Sequence, residues 1–462
     1  MTHYDLVVVG AGSGNTILDD RFSHLSVAMV ERGPFGGTCV NRGCIPSKMY
    51  AYPAEVAESA AHGSDLDVDT VFRGADWRSM RERIMGRVDG IAAGGKEYRE
   101  GLDWVDVLTG TCRFTGPREL AVDLEDGSSV TLTADQVVLA AGSRPVLPDI
   151  PGLHDVPHHT SDSIMRIDAL PDRIGIIGGG YVGSELANVF ASLGSSVVQV
   201  DSAPHLIANH DEQVARVFTD TVRRRWDVRL DTTLEKVTSG SGSPAALHLS
   251  DGSTADVDLV LVAVGRRTNA DVLEVERGGV DVDDAGRVVV DLHQRTSAEG
   301  VWALGDLSSP EPLKHVANQD ARVVQHNLLH PEDLVVSDHR FVPNAVFAHP
   351  QVAAVGLTEQ QARDADLDVA VAVHEYGDTA HGWAMGLDDS GYLVKLVGDR
   401  ATGLLVGAHL VGPQASVLVQ PLIQAMSFGQ PVAGLARGQY WIHPALTEVV
   451  EGALLDLEEQ LG

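Results

Sequence analysis

Residues 36–48 read GGTCVNRGCIPSK and place two cysteines, Cys39 and Cys44, with four residues between them. Such a spacing could also belong to half of a zinc site or to two structural thiols. Zinc usually takes four ligands, whereas Cys112 is the only other cysteine and no dense histidine cluster lies around residues 36–50. Structural thiols need neither a glycine-rich approach nor a lysine like the one at position 48. The stretch therefore predicts a redox-active disulfide and no metal site.

Length and composition exclude several classes of protein. At 462 residues, the chain is too long for a single core and predicts about three domains. A net charge of −31 and a pI near 4.8 argue against nucleic-acid binding and are typical of a solvated acidic surface. Three cysteines favour a reducing compartment. The N-terminus lacks the basic flank of a signal peptide, and no apolar run is long enough to span a bilayer. We therefore expect a cytoplasmic protein with no membrane contact.

The same glycine-rich pattern occurs twice, about 168 residues apart. Each copy has an apolar strand, a glycine turn and a second strand that ends at an acidic residue. In such a unit, glycine N–H groups approach a pyrophosphate at a helix N-terminus, and the acid accepts hydrogen bonds from a ribose. Two copies predict a protein that binds two dinucleotides. The residues concerned are strands 5–9 and 27–30 with Gly10, Gly12, Gly14 and Glu31, and strands 173–177 and 197–200 with Gly178, Gly180, Val182, Gly183 and Asp201.

The first copy departs from the usual pattern at one position. A third glycine of the motif would fall at position 15, where the chain has Asn15. That glycine normally permits close packing of the helix on the strand. Because asparagine is small and tolerates unusual backbone angles, we expect a local adjustment and not the loss of the site.

Other segments fit the same architecture. Predicted strands at 137–141 and 259–264 run into turns at Gly142 and Gly265, and the phrase VWALGD places Asp306 after another strand, where it can bind a polyol hydroxyl. Helices are predicted at 51–61 and 77–98. From Phe341 onward strands and helices alternate without a further glycine motif, which indicates a separate domain that does not bind a nucleotide by this device.

The phrases GGTCVNRGCIPSK, GGGYVGSE, VWALGD and HPALTE, in this order and spacing, resemble the flavoprotein pyridine nucleotide-disulfide oxidoreductases. The resemblance covers essentially the whole chain. It implies an α/β fold with two Rossmann-like dinucleotide-binding domains, one for FAD and one for NAD(P), and an α+β C-terminal dimerisation domain in an obligate homodimer. The implied boundaries are 1–150 for the FAD domain with the disulfide, 151–275 for the NAD(P)H domain, 276–335 for a central domain returning to FAD, and 336–462 for the interface domain.

The resemblance also implies roles for particular residues. Cys44 would be the charge-transfer thiolate beside the flavin, and Cys39, the more accessible thiol in the family, would attack the substrate disulfide. His443 would be the base, reaching across from the other subunit and oriented by Glu448. Lys48 would lie near the flavin as the partner of Glu185. The remaining implied cofactor contacts are Thr38, Ala141, Gly142, Gly265, Asp306, Val316 and Ala317, with Cys112 as a packing residue beside the flavin domain.

The substrate and the coenzyme are less strongly determined. No basic residue stands between Lys48 and Arg73, and the helix carries Tyr50 and Tyr52, which disfavours an anionic disulfide such as that of glutathione; Arg42 weakens this point. The phrases GSGN, 313–318 and 381–385 resemble the branch that reduces mycothione, the small-molecule disulfide of a cysteine–glucosamine–inositol thiol. The alternative is the branch that oxidises dihydrolipoamide. Asp201 favours NADH because an acid repels a 2′-phosphate, whereas the resemblance allows NADPH as well.

Overall fold

The computed structural model describes all residues, 1–462, and begins with a sheet that carries the first glycine turn. Its parallel part has the order β3–β2–β1–β5–β16, and the outer ends of β3, β4 and β5 form an antiparallel meander. Gly10, Ala141 and Asp306 follow the carboxyl ends of β1, β5 and β16, so the sheet brings these three segments together at one edge. The strands are β1 (Thr2–Val9), β2 (Val27–Glu31), β3 (Val105–Gly116), β4 (Glu119–Leu124), β5 (Ser129–Leu139) and β16 (Val301–Ala303).

A second parallel sheet carries the second glycine turn, and a small antiparallel sheet packs beside it. The order of the parallel sheet is β10–β9–β8–β14–β7, and β11, β12 and β13 form the small sheet. A two-stranded ribbon of β6 and β15 links the first sheet to the second. The strands are β6 (Ser143–Pro145), β7 (His158–Thr160), β8 (Arg173–Ile177), β9 (Ser196–Val200), β10 (Asp227–Arg229), β11 (Leu234–Thr238), β12 (Ala245–Leu249), β13 (Thr254–Val257), β14 (Leu259–Val262) and β15 (Arg266–Thr268).

The C-terminal part contains an antiparallel sheet of order β17–β18–β21–β20–β19, with no glycine turn of the dinucleotide type. Helix α11 packs on β19 and β20. The strands are β17 (Asn344–Val346), β18 (Gln351–Gly356), β19 (Val369–Glu375), β20 (Leu393–Asp399) and β21 (Leu404–Gly412). The helices of the whole chain are α1 (Gly37–Arg42), α2 (Cys44–Ala61), α3 (Trp77–Glu100), α4 (Tyr181–Ser192), α5 (Glu212–Val222), α6 (Lys314–Leu329), α7 (Glu359–Asp364), α8 (Ala380–Ala384), α9 (Ala415–Leu418), α10 (Gln420–Ser427) and α11 (Glu448–Leu461).

The helix that carries Cys44 is fixed against the second sheet by aromatic packing. Tyr50 of α2 stacks on Trp77 of α3 at 4.8 Å between ring centroids, and Trp77 stacks on Phe190 of α4 at 5.5 Å. All three rings are buried in one hydrophobic cluster. Stacked aromatic rings combine a large buried area with a preferred orientation. The cluster therefore holds α2 and α4 in fixed register, which positions the side chains they carry toward each other.

The first glycine turn lacks the α-helix that the sequence predicts after it. Between β1 and β2 the chain forms only two three-residue 3₁₀ helices, Gly14–Thr16 and Asp20–Phe22. The buried guanidinium of Arg99 donates to Asn15 Oδ1 at 2.7 Å and to the carbonyl oxygens of Asn15 and Leu18 at 2.6 and 2.9 Å. In an α-helix those carbonyls would accept from backbone N–H groups. The adjustment at Asn15 is thus larger than expected, because Arg99 replaces the helical hydrogen bonds.

Four other elements differ at their ends from the sequence prediction. Helix α2 begins at Cys44 and not at residue 51, and it continues through Pro53 to Ala61. Helix α3 covers the predicted 77–98 and extends to Glu100. The strand predicted at 137–141 is the end of the longer β5, and the strand predicted at 259–264 ends at Val262. The earlier start of α2 matters for the site, since it places Cys44 at a helix N-terminus.

Candidate active site

The two cysteines lie in consecutive helices and are free thiols in this structure. Cys44 is the first residue of α2, whose N-cap Gly43 provides no side-chain cap, so the positive helix end favours a thiolate there. A hydrogen bond from Cys39 lowers the pKa of Cys44 to about 6, with Lys48 adding to the effect and burial opposing it. The same hydrogen bond, together with burial, raises the pKa of Cys39. The pair therefore carries its negative charge on Cys44.

The accessibility of the thiols is the reverse of what the resemblance implies. Cys44 is exposed and Cys39 is half-buried. Both thiols line one cavity, and Lys48 lines it as well. Lys48 lies one helical turn after Cys44 on α2. In the single chain Cys44, and not Cys39, is therefore the more accessible thiol.

Lys48 and Glu185 form the ion pair that the resemblance implies. The Lys48 ammonium donates to both carboxylate oxygens of Glu185, at 2.8 and 2.7 Å, and lies 4.6 Å from the ring centroid of Phe347. The backbone N–H of Phe347 donates to the same carboxylate at 3.0 Å. Lys48 is one helical turn after Cys44 on α2, and Glu185 is on α4, the helix that follows the second glycine turn. The ion pair therefore connects α2 to α4.

The cavity contains donors and acceptors that fit FAD. In its wall, Glu31 accepts from the N–H groups of Ala11 at 2.7 Å and Gly33 at 2.8 Å, and burial raises the pKa of this carboxyl despite those hydrogen bonds. The N–H groups of Gly12 and Ser13 have no acceptor in the protein. Unpaired donors on a glycine turn are suited to a phosphate. The two thiols line the same cavity as this turn.

Glycine is required where the walls of this cavity approach each other. A Cβ at Gly10, whose φ is +105°, would lie 2.3 Å from the carbonyl oxygen of Ala140. A Cβ at Gly37, whose φ is +60°, would lie 2.8 Å from the Cα of Gly12. Both contacts are too short for a side chain. Glycine is therefore needed at position 10 for the first turn to pack against Ala140, and at position 37 for the cysteine segment to pack against that turn.

Asp306 stands where the sequence predicts, beside the cavity. Its Oδ2 accepts from the hydroxyl of Ser143 at 2.6 Å, and that hydroxyl in turn accepts from Nε of Arg266 at 2.9 Å. Thr38, Ala141, Gly142 and Ala317 also line the cavity. Cys112 lines it as well but is buried, and burial raises the pKa of its thiol to about 12. Cys112 therefore stays protonated, in keeping with a packing role.

The second glycine turn repeats the hydrogen bonding of the first. Asp201 accepts from the N–H groups of Gly179 at 2.5 Å and Ala203 at 2.7 Å, just as Glu31 does in the first copy. Here a regular helix follows the turn, because α4 begins at Tyr181 with Gly180 as N-cap and no side-chain cap. This helix N-terminus is the kind of site that binds a pyrophosphate. The second copy is thus the more complete dinucleotide-binding unit of the two.

Several of the residues selected from the sequence lie outside the cavity of the thiols. Val182 and Glu185 line it, but the glycines of the second turn do not, as expected for a second binding site. Val316 is buried and is not part of the wall. The residues outside the wall are Gly14, Gly178, Gly180, Gly183, Asp201, Gly265, Val316, His443 and Glu448.

His443 and Glu448 meet each other but not the thiols of their own chain. Nδ1 of His443 lies 2.7 Å from Oε1 of Glu448, which is the first residue of α11. The His443 side chain is 75% exposed. No histidine lines the cavity of Cys39 and Cys44. The structure therefore forms the oriented imidazole but leaves it at the surface of the single chain.

Of the two tyrosines noted on α2 one belongs to the core, and several residues at the cavity wall were not selected from the sequence. Tyr50 is fully buried, and its hydroxyl donates to the carbonyl of Met165 at 2.8 Å, so it cannot contact a substrate; Tyr52 is exposed. Lys314 entered only as part of a phrase that resembles a branch of the family, yet it lines the cavity. Because Lys314 is far from the cysteines along the chain, nothing in the sequence indicated that it shares their cavity. Other missed wall residues are Ser13, Ser143, Asp162, Tyr181 and Arg266.

Comparison with known proteins places this arrangement in a family. A family model described as pyridine nucleotide-disulphide oxidoreductase matches residues 4–321, and the model of the dimerisation domain of the same family matches residues 342–454. The chain belongs to the pyridine nucleotide-disulphide oxidoreductase family. This confirms the family and the fold class predicted from the sequence. Membership in this oxidoreductase family implies FAD and a pyridine nucleotide as cofactors, and the second model indicates a homodimer.

Curated members of this family differ widely in their similarity to the chain. Mycothione reductase of Mycobacterium tuberculosis is 50% identical over 465 residues, covering 99% of this chain and 100% of that protein. Dihydrolipoyl dehydrogenase of Thermus scotoductus is 34% identical, covering 100% of this chain and 98% of that protein. The enzyme of the same name from Haloferax volcanii is 32% identical, covering 97% and 95%. The predicted resemblance to the mycothione-reducing branch is confirmed.

A solved structure from the same family has a closely similar fold. The Cu(II) complex of a mutant of the HOCl-induced flavoprotein disulfide reductase from Escherichia coli superimposes with a TM-score of 0.87 at 26% identity, over 100% of both chains. The similarity extends over the whole chain and thus includes the C-terminal sheet.

No helix of the present chain has the length and apolar character needed to cross a membrane.

Proposed function

We propose that the chain uses NADH or NADPH to reduce mycothione to two molecules of its thiol, through FAD and the Cys39–Cys44 pair. The observation that carries this proposal is the 50% identity to mycothione reductase over 99% of the chain. When bound, FAD would accept a hydride from the coenzyme and pass the electron pair to the disulfide. One hydride and one proton then convert one substrate disulfide into two thiols, so atoms and electrons balance. Glu31, Gly12 and Asp306 would hold the FAD.

The opposite pKa shifts of the two thiols support a division of labour between them. Cys44, with its pKa lowered to about 6 by the hydrogen bond from Cys39 and by Lys48, would be the thiolate that faces the flavin at neutral pH. Cys39, whose pKa is raised by donating that hydrogen bond and by burial, would keep its proton until a base removes it. Its thiolate would then attack the substrate, form a mixed disulfide and release the first thiol. Cys44 would resolve the mixed disulfide and release the second.

The base for Cys39 would be His443 of the other subunit in a homodimer. An imidazole exchanges a proton near neutral pH. Glu448 forms a hydrogen bond with Nδ1 of His443, which leaves Nε2 to accept the proton of Cys39. In support of this proposal, the cavity has no histidine of its own and His443 is largely exposed.

Subunit complementation tests the exchange of residues between subunits. Mixed dimers of Cys39→Ser and His443→Gln subunits would contain one complete site and one inactive site, and about half of the wild-type activity is expected. Each variant alone is the matched control, since neither homodimer would contain a complete site. Mixed dimers with no more activity than the two homodimers would contradict a site completed across subunits.

We also propose that Asp201 favours NADH over NADPH. The nearest arginine in the adjoining strand, Arg229 of β10, is paired with Asp227 at 2.9 Å and donates to Ser253 at 3.0 Å, so it is engaged away from a 2′-phosphate. A carboxylate accepts hydrogen bonds from a ribose diol and repels a phosphate. NADPH remains a coenzyme of this proposal, with the lower preference.

The domain division and the location of the enzyme are further parts of the proposal. We place the FAD domain at 1–150, the NAD(P)H domain at 151–275, a central domain at 276–335 and the interface domain at 336–462. In support, β7 to β14 lie in the second range, whereas β16 returns to the first sheet. Limited proteolysis with mass mapping tests these limits, and cuts confined to other segments would contradict them.

Three cysteines in 462 residues support a reducing compartment, and we propose the cytoplasm.

Substrate preference is the direct test of the proposed function. Initial rates of NADH and NADPH oxidation are measured with mycothione, lipoamide and glutathione disulfide offered separately to the purified FAD-loaded enzyme. We expect mycothione to give the highest kcat/KM. Cys39→Ser is the matched control, since it should remove turnover of every disulfide. A higher kcat/KM with lipoamide would contradict the proposal and favour dihydrolipoamide as the physiological substrate.

A further inference from the structure

The two glycine turns differ in the positive charge that they offer to a phosphate. At the second turn α4 begins at Tyr181 and runs for 12 residues, so its N-terminus adds the partial positive charge of a regular helix. At the first turn only the three-residue 3₁₀ helix Gly14–Thr16 follows. The guanidinium of Arg99 donates to the carbonyls beyond it and lies outside the cavity wall. The first turn therefore has unpaired N–H groups without a regular helix behind them.

Lys314 brings a cation to the first turn from a distant part of the chain. It is the first residue of α6, it lines the cavity, and its ammonium donates to the hydroxyl oxygen of Ser13 at 2.8 Å. This hydroxyl in turn donates to no group of the protein. The backbone N–H groups of Gly12 and Ser13 have no acceptor either. The turn thus combines an ammonium, a hydroxyl and two backbone N–H groups, all of which can donate to an anion.

No group of the protein neutralises this ammonium. No carboxylate oxygen lies within 4.0 Å of it, and Asp306 of the same cavity accepts from Ser143. The first turn of α6 has no acidic residue, and the partial positive charge of this helix N-terminus repels a cation. Burial further disfavours the charged form and lowers the pKa of Lys314. An anion bound beside Ser13 would offset these effects.

Two other cations of the cavity wall lack a carboxylate partner, but neither forms a hydrogen bond with the first turn. Arg266 donates to the hydroxyl and carbonyl oxygens of Ser143, at 2.9 Å each. Arg32 is exposed, follows Glu31 at the end of β2, and its side chain donates to no protein group. The remaining cations of the wall are paired with carboxylates, Arg42 with Asp162, Lys48 with Glu185 and Arg144 with Asp271.

We propose that Lys314 supplies the positive charge for the pyrophosphate of FAD at the first glycine turn, in place of the N-terminus of a regular helix. The N–H groups of the ammonium that Ser13 does not use are available to phosphate oxygens, as are the N–H groups of the turn itself. The pyrophosphate is the anionic part of oxidised FAD at neutral pH. Lys314 is thereby a cofactor-binding residue, and the inference rests on the proposed binding of FAD at this turn.

The affinity for FAD tests the charge of Lys314. Holoenzyme is diluted, and the FAD released is measured by its fluorescence after the protein is removed by ultrafiltration. Lys314→Gln keeps a donor for Ser13 but removes the charge, and it should raise the Kd of FAD about tenfold, the value of one charge-assisted hydrogen bond. Lys314→Arg keeps the charge and should raise the Kd less than Lys314→Gln does. Exposed Lys236→Gln is the matched control and should leave the Kd unchanged.

An unchanged Kd in Lys314→Gln would overturn the inference, because the hydrogen bond to Ser13 alone would then account for the lysine. Arg32→Gln and Arg266→Gln test the two competing cations. A raised Kd in either of them, combined with an unchanged Kd in Lys314→Gln, would assign the phosphate to that arginine.

The midpoint potential of the flavin separates the pyrophosphate from the isoalloxazine ring as the group that Lys314 binds. Reduction changes the ring and not the pyrophosphate, so the loss of a phosphate contact weakens oxidised and reduced FAD equally. We therefore expect Lys314→Gln to leave the potential unchanged in the Cys39→Ser, Cys44→Ser enzyme, which has no dithiol to titrate with the flavin. A tenfold loss of affinity confined to reduced FAD would lower the potential by about 30 mV. Such a shift would overturn the assignment to the pyrophosphate.

The inference and the proposed function can fail separately. Turnover of mycothione by the unaltered enzyme tests the proposed function without reference to Lys314. The Kd of FAD needs no disulfide substrate, so a raised Kd in Lys314→Gln supports the inference whichever disulfide the enzyme reduces.

Discussion

Removal of the Lys48 ammonium should raise the pKa of Cys44. In the native chain this pKa is lowered to about 6, so the thiolate is present at neutral pH and is lost as the pH falls below that value. Lys48→Met removes the cation one turn after Cys44. It also leaves the carboxylate of Glu185, whose charge opposes the thiolate, without its partner. Both changes act in the same direction, toward a higher pKa.

The expected size of the shift follows from the geometry. Side chains one turn apart on a helix lie about 5–6 Å from each other. Two unit charges at about 5 Å attract by about 3 kcal/mol at an effective dielectric constant of about 20, which corresponds to roughly two pH units. The Lys48 side chain is 35% exposed, so water screens part of this attraction. We therefore expect an upward shift of about one to two pH units. At pH 7 the thiolate would change from the major form to about half of the population or less.

The assay is the long-wavelength charge-transfer absorbance of the two-electron-reduced enzyme, titrated from pH 5 to 9. Lys96→Met, on the surface of α3, is the matched control and should leave the midpoint in place. Lys48→Met with Glu185→Gln should shift the midpoint less than Lys48→Met alone, because the leftover carboxylate is also removed. FAD content and thermal melting check that each variant is folded. A midpoint in Lys48→Met that is unchanged or lower would refute the electrostatic explanation of the Cys44 pKa.

Other substitutions test the remaining parts of the site and the fold. Cys39→Ser should leave flavin reduction by the coenzyme intact in stopped-flow absorbance and abolish disulfide turnover; retained turnover would contradict its assignment as the attacking thiol. Asp201→Asn should raise the ratio of kcat/KM for NADPH to that for NADH, since it removes the charge that repels a 2′-phosphate, and an equal ratio would show that Asp201 does not contact the ribose. Arg99→Met should lower the free energy of unfolding in urea by about 2 kcal/mol because it leaves buried carbonyls without donors. Exposed Arg87→Met should change it by less than about 0.5 kcal/mol, and equal effects would refute the role given to Arg99.

Local sequence was sufficient to predict the two glycine turns and their acidic partners. Glu31 and Asp201 each accept from the residue after the first glycine of the turn, Ala11 and Gly179. Strand, turn and acid lie within about twenty residues, and adjacent parallel strands bring them together. The ion pair of Lys48 and Glu185 was predicted only through the resemblance, because 137 residues separate the two side chains.

Long-range contacts account for what the sequence did not predict. The missing helix after the first turn depends on Arg99, which is 84 residues away from Asn15. Tyr50 has an amphipathic side chain that suits either a substrate or a core, and its partners Trp77 and Met165 decide for the core. Neither periodicity nor spacing along the chain identifies such partners, since they come from different elements of the fold.

The distribution of charge around the thiols connects the chemistry to the proposed homodimer. Cys44 receives its stabilisation from its own chain, through Cys39, the helix N-terminus and Lys48. Cys39 has a raised pKa because it donates to Cys44 and is partly buried, and the charge of Lys314 offsets these effects only in part. An ammonium can stabilise a thiolate, but a charged lysine cannot accept the proton that Cys39 must lose. The wall of the cavity holds no histidine, and its carboxylates are engaged with other donors. A single chain therefore lacks a proton acceptor for Cys39, and an exposed His443 held by Glu448 is suited to supply one to a neighbouring subunit.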